Sequence, residues 1–426
     1  MRSIRYALPL LLAAWMLPGA TTAAPETTKA KLGFISLTDC APLVVAKVKG
    51  YFAKYGMPDV EVLKQASWGA TRDNLELGSD RGGIDGAHIL RPMPYAMSLG
   101  LITKGNVKIP MNILASLNLN GQAITIKKDL AGLKTGLDAS LLKDTAAQLK
   151  SQRKALVGAM TFPTGTHNYW LRYWLAAGGI DPDVDVATLV VPPPQMVANM
   201  RVGTMDVFCV GEPWGQQAIN QGLGYTALTT QELWKDHPEK CLGMRADWVK
   251  KNPQAAKALT AAIIEAQRWA DKDENKQELA EILSQKSWVN APVADLLPRL
   301  TGTYDLGPGG RGQVTRDPQR MKFWADHASF PYKSHDKWFL AETRRWGFLP
   351  NGIDYDKVVG QVNRADIWRE AAKMAGVPAA EIPATDSRGK ETFFDGVVFD
   401  PADPEAYLAK LDIKNLDGKK TSLMVR

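Results

Sequence analysis

Short apolar runs alternate with stretches of helical spacing along this chain. Residues 31–36 form an apolar run bounded by polar positions and read as a strand. Thr38 or Asp39 then caps a helix predicted to run to about Tyr55, with Pro42 in its first turn and Gly56 after its end. A strand over 60–63, a helix over 68–77 and a strand over 84–89 follow. The same alternation returns later: strands over 159–162 and 185–191 flank a helix over 169–177, which Thr166 or Asn168 caps and Gly178-Gly179 ends. Pro192-Pro193-Pro194 stops the second of these strands. Strands alternating with helices predict an α/β protein with mostly parallel sheets. Residues 116–126 read as an extended segment that crosses between lobes. After Lys240 the pattern turns helical, over 255–271 and 276–284, and from Asp386 it becomes extended segments and loops that wrap a lobe.

A length of 426 residues suits two lobes. An internal repeat points the same way. Asn74-Leu75-Glu76-Leu77-Gly78 leads into Gly83-Ile84-Asp85-Gly86-Ala87 and then Arg91-Pro92. Asn199-Met200-Arg201-Val202-Gly203 leads into Thr204-Met205-Asp206-Val207-Phe208 and then Glu212-Pro213. Each is a helix end, a glycine stop, an Asp-led strand and a proline-marked loop, which places the two loops on facing edges of a cleft.

The N-terminus changes the compartment. Met1-Arg2-Ser3-Ile4-Arg5 precedes an apolar run over 6–17 and a small-residue segment, Gly19-Ala20-Thr21-Thr22-Ala23-Ala24. This is the layout of a signal peptide, residues 1–23, cleaved after Ala23. The run is short for a bilayer span, and no Cys stands near the cleavage point to take a lipid anchor. The mature chain is therefore expected in the periplasm, free of the membrane. Its loss of two arginines takes 52 basic residues to 50 against 45 acidic ones, an excess of +5. That mild excess argues against a nucleic-acid partner. Cys40, Cys209 and Cys241 are an odd set in apolar surroundings and read as inert buried thiols.

Enzymatic chemistry finds little support. There is no Gly-x-Ser-x-Gly elbow and no His-Glu-x-x-His. Gly307-Pro308-Gly309-Gly310-Arg311-Gly312 lacks the Lys-Ser/Thr of a phosphate loop and reads as a flexible surface loop. No metal or cofactor is predicted. Hydrogen-bond donors are better represented. His167 follows Gly165-Thr166 at a predicted helix start, where free backbone N–H groups and the helix dipole favour an anion. A donating imidazole there predicts affinity that falls or stays level as pH rises past about 6.5. Lys240 stands at the return crossing, Gln122 in the outgoing one, and Trp68 at a strand-to-helix turn. Each has a plainer reading: a packing His, a solvated Lys, a strand-edge Gln, a core Trp. Trp170, Trp174 and Trp248 read as core. Together the donors describe a site rich in N–H groups and poor in acceptors, suited to a small anion.

Several segments resemble the nitrate/nitrite-binding proteins of bacterial ABC transporters. They are 37–43, 91–96, 118–125, 165–170 and 237–248, extended by Phe330-Pro331-Tyr332-Lys333-Ser334-His335 and Arg345-Trp346-Gly347-Phe348-Leu349-Pro350. The resemblance implies a two-lobe periplasmic-binding-protein fold, with Trp68, Gln122, His167 and Lys240 around the anion. It implies a first lobe from 31–121 and 241–385, a second from 122–240, and a wrapping tail over 386–426. It also implies a monomer that delivers nitrate, and nitrite, to an inner-membrane permease. A related branch binds bicarbonate with a carboxylate and calcium near the ligand; the matching position here is Lys240, beside Glu239. Nitrate has only acceptor oxygens and bicarbonate also carries an O–H, so a lysine favours nitrate. A cytoplasmic nitrate sensor and a pyrimidine-precursor synthase share the fold, and the signal peptide argues against both.

Overall fold

The structure is a computed structural model that describes residues 23–420 and the strand Leu423–Met424. Residues 1–22, nearly all of the signal peptide expected over 1–23, lie outside the described residues. The described residues build two large sheets flanked by helices, with two short two-stranded pairings beside them. The first contains β1 (Lys29–Phe34), β2 (Asp59–Lys64), β3 (Gly86–Leu90), β4 (Met111–Ser116) and, far along the chain, β10 (Lys240–Arg245). The second contains β5 (Gln122–Lys127), β6 (Leu156–Met160), β7 (Val186–Val190), β8 (Val207–Gly211), β9 (Gly224–Thr229) and the terminal strand Leu423–Met424.

The two sheets have one design. The first runs β2-β1-β3-β10-β4, and the second runs β7-β6-β8-β5-β9, with the terminal strand beside β7. In each, the first three strands are parallel and the last two pair antiparallel. Each carries a register shift in its outer pairing, at Leu242/Gly243 and at Ile124/Thr125. The sequence repeat falls on β3 and β8, which hold the same place in their sheets. In both sheets, therefore, the antiparallel partner of that strand comes from the other end of a crossing: β10 enters the first sheet and β5 the second.

The helices follow from local signals with two departures. Helix Trp68–Leu77 begins and ends where expected, because the Ser67 side chain accepts from Ala70 N–H and Gly78, at φ +74°, closes it. The helix predicted over 38–55 is interrupted. A single turn Thr38–Cys40 precedes Ala41–Val48, and Gly50 at φ +73° separates it from Tyr51–Lys54. Helix Thr166–Ala177 starts earlier than expected, with Gly165 as its N-cap instead of Thr166 or Asn168.

The extended stretch 116–126 is also broken. β4 ends at Ser116, and Asn120 and Gly121 adopt positive φ before β5 begins. Two hydrophobic cores lie under the sheets. Helix Pro253–Asp271 belongs to the first core through Leu259, Ile263 and Ile264. The range 241–385, expected with the first lobe, is divided. Helix Lys333–Arg345 is buried on most sides and sends Trp338 and Phe339 into the second core but Leu340 into the first. Phe393, Phe399 and Tyr407 of the tail join the second core. The glycine-rich loop is not free. It closes a hairpin, and Gly309 lies against the Tyr225 ring so closely that a Cβ would meet it at 2.6 Å. The three cysteines are buried and unpaired.

Candidate functional site

Two crossings join the sheets and lie side by side. Leu119 and Pro238 form an antiparallel bridge. Asn120 N–H donates to His237 C=O at 3.0 Å and Leu117 N–H to Lys240 C=O at 2.8 Å. The Asn118 side chain accepts from Lys240 N–H at 3.2 Å. This pairing holds Lys240 at the start of β10 and Gln122 at the start of β5, at the junction of the sheets. Both side chains are buried.

The four residues singled out in the sequence converge here. Lys240 Nζ lies 2.9 Å from Asp39 Oδ2 and 2.9 Å from Glu239 Oε1. Gln122 Nε2 donates to Asp39 Oδ2 at 3.1 Å, and its Oε1 accepts from His167 Nε2 at 2.6 Å. That assignment leaves His167 Nδ1 as acceptor for the Thr161 hydroxyl at 2.6 Å. The Trp68 ring packs on His88, with centroids 5.6 Å apart, and lies 5.9 Å from Lys240 Nζ. Its indole N–H is buried and has no partner. Gly211, at the end of β8, brings its backbone against the cluster; a Cβ there would meet Gln122 Oε1 at 2.7 Å. Trp68 comes from the first lobe and His167 from the second.

The expectation of a site poor in acceptors is overturned. Asp39 and Glu239 are both in it, fully buried. Asp39 also accepts from His88 Nε2 at 2.7 Å. Glu239 occupies the N-terminal end of helix Thr166–Ala177, the place expected to hold the anion. Its Oε1 accepts from the Thr166 hydroxyl and its Oε2 from Trp170 Nε1 at 2.8 Å. Trp170 is core, stacked on Trp338 at 5.0 Å, and also a site residue. Trp174 is buried, whereas Trp248 is only partly so. Asp39 and His88 carried little signal in the sequence. Asp39 looked like a helix cap, and His88 sits in an otherwise apolar strand. Glu239 was visible only as the neighbour of Lys240.

Electrostatics separates the two carboxylates. Burial alone would raise the Asp39 carboxyl, but Lys240 and His88 outweigh it and hold the group well below the usual range. Burial pushes Glu239 up, and its contacts with Lys240, Thr166 and Trp170 do not reverse this. Burial opposes the Lys240 charge, yet the two carboxylates keep its pKa above the ordinary value. His167 is pushed well below 6.5 by burial and then by Lys240, so it is neutral near physiological pH. The expected titration of His167 near its reference value is therefore corrected: that window lies far to the acid side.

A cleft of about 490 Å³ opens beside the cluster. Ser67 and Gly69 of the first lobe line one wall, and Thr161, Phe162 and Pro163 of the second line the other. It reaches the rim of the site, since Thr161 is the residue bonded to His167.

Residues 23–284 match the profile of the NMT1-like family. The chain is 58% identical over 395 residues to the nitrate/nitrite binding protein NrtA of Synechocystis sp., covering 92% of this chain and 87% of that protein. It is 43% identical over 397 residues to the bicarbonate-binding protein CmpA of Synechococcus elongatus, covering 91% and 88%. The crystal structure of the periplasmic nitrate-binding protein NrtA from Synechocystis superposes with a TM-score of 0.89 at 57% identity, over 92% of this chain and all of that one. The chain belongs to the NMT1-like family, has the two-lobe periplasmic-binding-protein fold, and stands among the nitrate/nitrite-binding proteins of that family.

Proposed function

We propose that this protein captures nitrate, and also nitrite, between its lobes and presents it to the permease of an ABC transporter. On this reading it works as a periplasmic monomer after loss of residues 1–23, and capture makes and breaks no covalent bond. The observation that carries the reading is the Trp68 indole N–H. It is fully buried, lacks a partner, and stands beside the only ammonium among the described site residues. A buried donor left unmade costs about 1–3 kcal/mol, so a ligand oxygen there is its natural partner. Lys240, Gln122 and His167 supply further N–H groups to a planar ion made only of acceptors. Charge-assisted hydrogen bonds then offset the desolvation of the ion. Asp39 and Glu239 favour a second reading, bicarbonate, whose O–H they would accept.

Calorimetric titration with nitrate, nitrite and bicarbonate decides between them. Nitrate and nitrite are expected to bind and bicarbonate to bind weakly or not at all. Trp68→Phe keeps the ring and removes the donor, and should weaken nitrate by about 10- to 100-fold. Bicarbonate binding tighter than nitrate, or an unchanged Trp68→Phe variant, refutes the reading.

A further inference from the structure

We propose that anion capture is coupled to uptake of one proton, which settles on Glu239 and releases Lys240 to hold the ligand. This rests on the reading of the cluster as an anion site. Lys240 supplies one positive charge and already faces two carboxylates, Asp39 and Glu239, each 2.9 Å from Nζ. All three side chains are fully buried. The other titratable groups facing Glu239 are His167, at 3.7 Å, His237, at 3.9 Å, and the buried Cys209 thiol of β8, which burial pushes well above its ordinary range and keeps neutral. Both imidazoles are neutral at ordinary pH, because burial drives His167 well down and His237 to about 3. His88, bonded to Asp39, is likewise driven below its ordinary value by burial and is neutral, so with both carboxylates ionised the cluster is already negative by one charge. A univalent anion would double that excess where water screens little. A proton on Glu239 restores the charge that the empty site had.

The geometry selects Glu239 over Asp39. The partners of Asp39 are N–H groups: Lys240 Nζ, His88 Nε2 and Gln122 Nε2. They suit an ionised carboxylate, since the Lys240 ammonium and the Gln122 amide N–H can only donate and His88 Nε2 donates to an ionised Asp39. Glu239 Oε1 instead shares the Thr166 hydroxyl, which both donates and accepts. A solvent proton adds to Oε1, and the Thr166 hydroxyl turns to accept the new O–H. The Lys240–Glu239 hydrogen bond breaks, and that N–H passes to the anion. Lys240 keeps its contact with Asp39, so the ammonium stays charged.

Nitrate titrations of wild type at one pH, in phosphate and in Tris, read the proton count directly, because the two buffers release protons with different enthalpies. Repeated from about pH 5.5 to about pH 8.5, they span the ordinary carboxyl and imidazole ranges. The enthalpies are expected to differ by an amount approaching one proton taken up per nitrate. Affinity should weaken as pH rises, by up to about tenfold per pH unit while Glu239 is ionised in the free protein. Glu239→Gln, neutral before and after, should lose the buffer dependence whatever its affinity. An infrared difference spectrum of wild type should gain a protonated-carboxyl C=O band on nitrate addition, which decides the matter even if the variant fails to fold or bind. Buffer-independent enthalpy throughout, no new carboxyl band, or undiminished proton uptake in Glu239→Gln overturns the proposal. No nitrate heat at any pH refutes instead the anion-site reading beneath it.

Discussion

Truncating Lys240 would strand two carboxylates in a dry cluster, and this sets what the variant should show. Lys240→Ala removes one partner of a buried charge set, a change that typically costs about 3–5 kcal/mol. Burial already raises the Glu239 carboxyl above its unfolded value, and removing the ammonium takes away the largest influence that opposes it. Stability contributed by such groups is present below the unfolded pKa and lost as pH rises through the folded one. Lys240→Ala should therefore melt closer to wild type near pH 5 than near pH 8, and it should not bind nitrate. Nitrate affinity within about threefold of wild type would remove Lys240 from the site. Lys240→Glu, which adds a third carboxylate, should abolish binding at every pH. Trp68, Gln122 and His167 stood in local settings that suit a donor, whereas Lys240 read locally as a solvated lysine and joined the set through the family resemblance. Their charge states were not legible. His167 is neutral because it is buried beside an ammonium that lies 73 positions away in the chain.

At the scale of the element, helix Trp68–Leu77 carries the clearest consequence. Its first residue is the site tryptophan, and its start is fixed by the Ser67 hydroxyl accepting from Ala70 N–H at 3.1 Å. Ser67→Ala should cost about 1 kcal/mol of stability, and Ser67→Gly only a few tenths. Urea unfolding measures the first effect. Nitrate titration should show a smaller loss in Ser67→Ala than in Trp68→Phe, because the indole N–H remains. A Ser67→Ala protein as stable as wild type would mean that packing alone sets this helix start. Most strands that were read fell within a few residues, since a short apolar run bounded by turn residues has few alternatives, but β9 and most of β4 were not read. The crossings were read less well. An extended backbone over 116–126 satisfied the local pattern, but Asn118 and Asn120 bond to the returning segment 237–240, which no local window contains.

At the scale of the molecule, the donors are divided between lobes. Trp68 approaches from the first lobe and His167 from the second, with Gln122 and Lys240 at the strand starts beside the crossings. A ligand that prefers the arrangement uniting them shifts the population toward it. Nitrate should reduce the radius of gyration in small-angle scattering and raise the melting temperature. Mass action gives about 2.7 kcal/mol at a hundredfold excess over the dissociation constant. Chloride at equal ionic strength shares the charge but not the planar three-oxygen shape. A melting shift that chloride reproduces in full would be a general salt effect and would sink the closure prediction.

The alternation of strands and helices, the repeat that places β3 and β8 alike, and the settings of Trp68, Gln122 and His167 at strand and helix starts were determined locally. Periodicity, caps and glycine stops act over a few residues, so they can be read without knowing the fold. What surrounds those donors was decided only by tertiary structure. Asp39 looked like a helix cap, His88 like a strand residue, and Glu239 like a neighbour of Lys240. Their meeting depends on β10 returning to the first sheet and on the two crossings pairing side by side. Charge and burial are properties of that assembly. They arise from groups far apart in sequence and from the exclusion of water, and neither leaves a periodic trace along the chain.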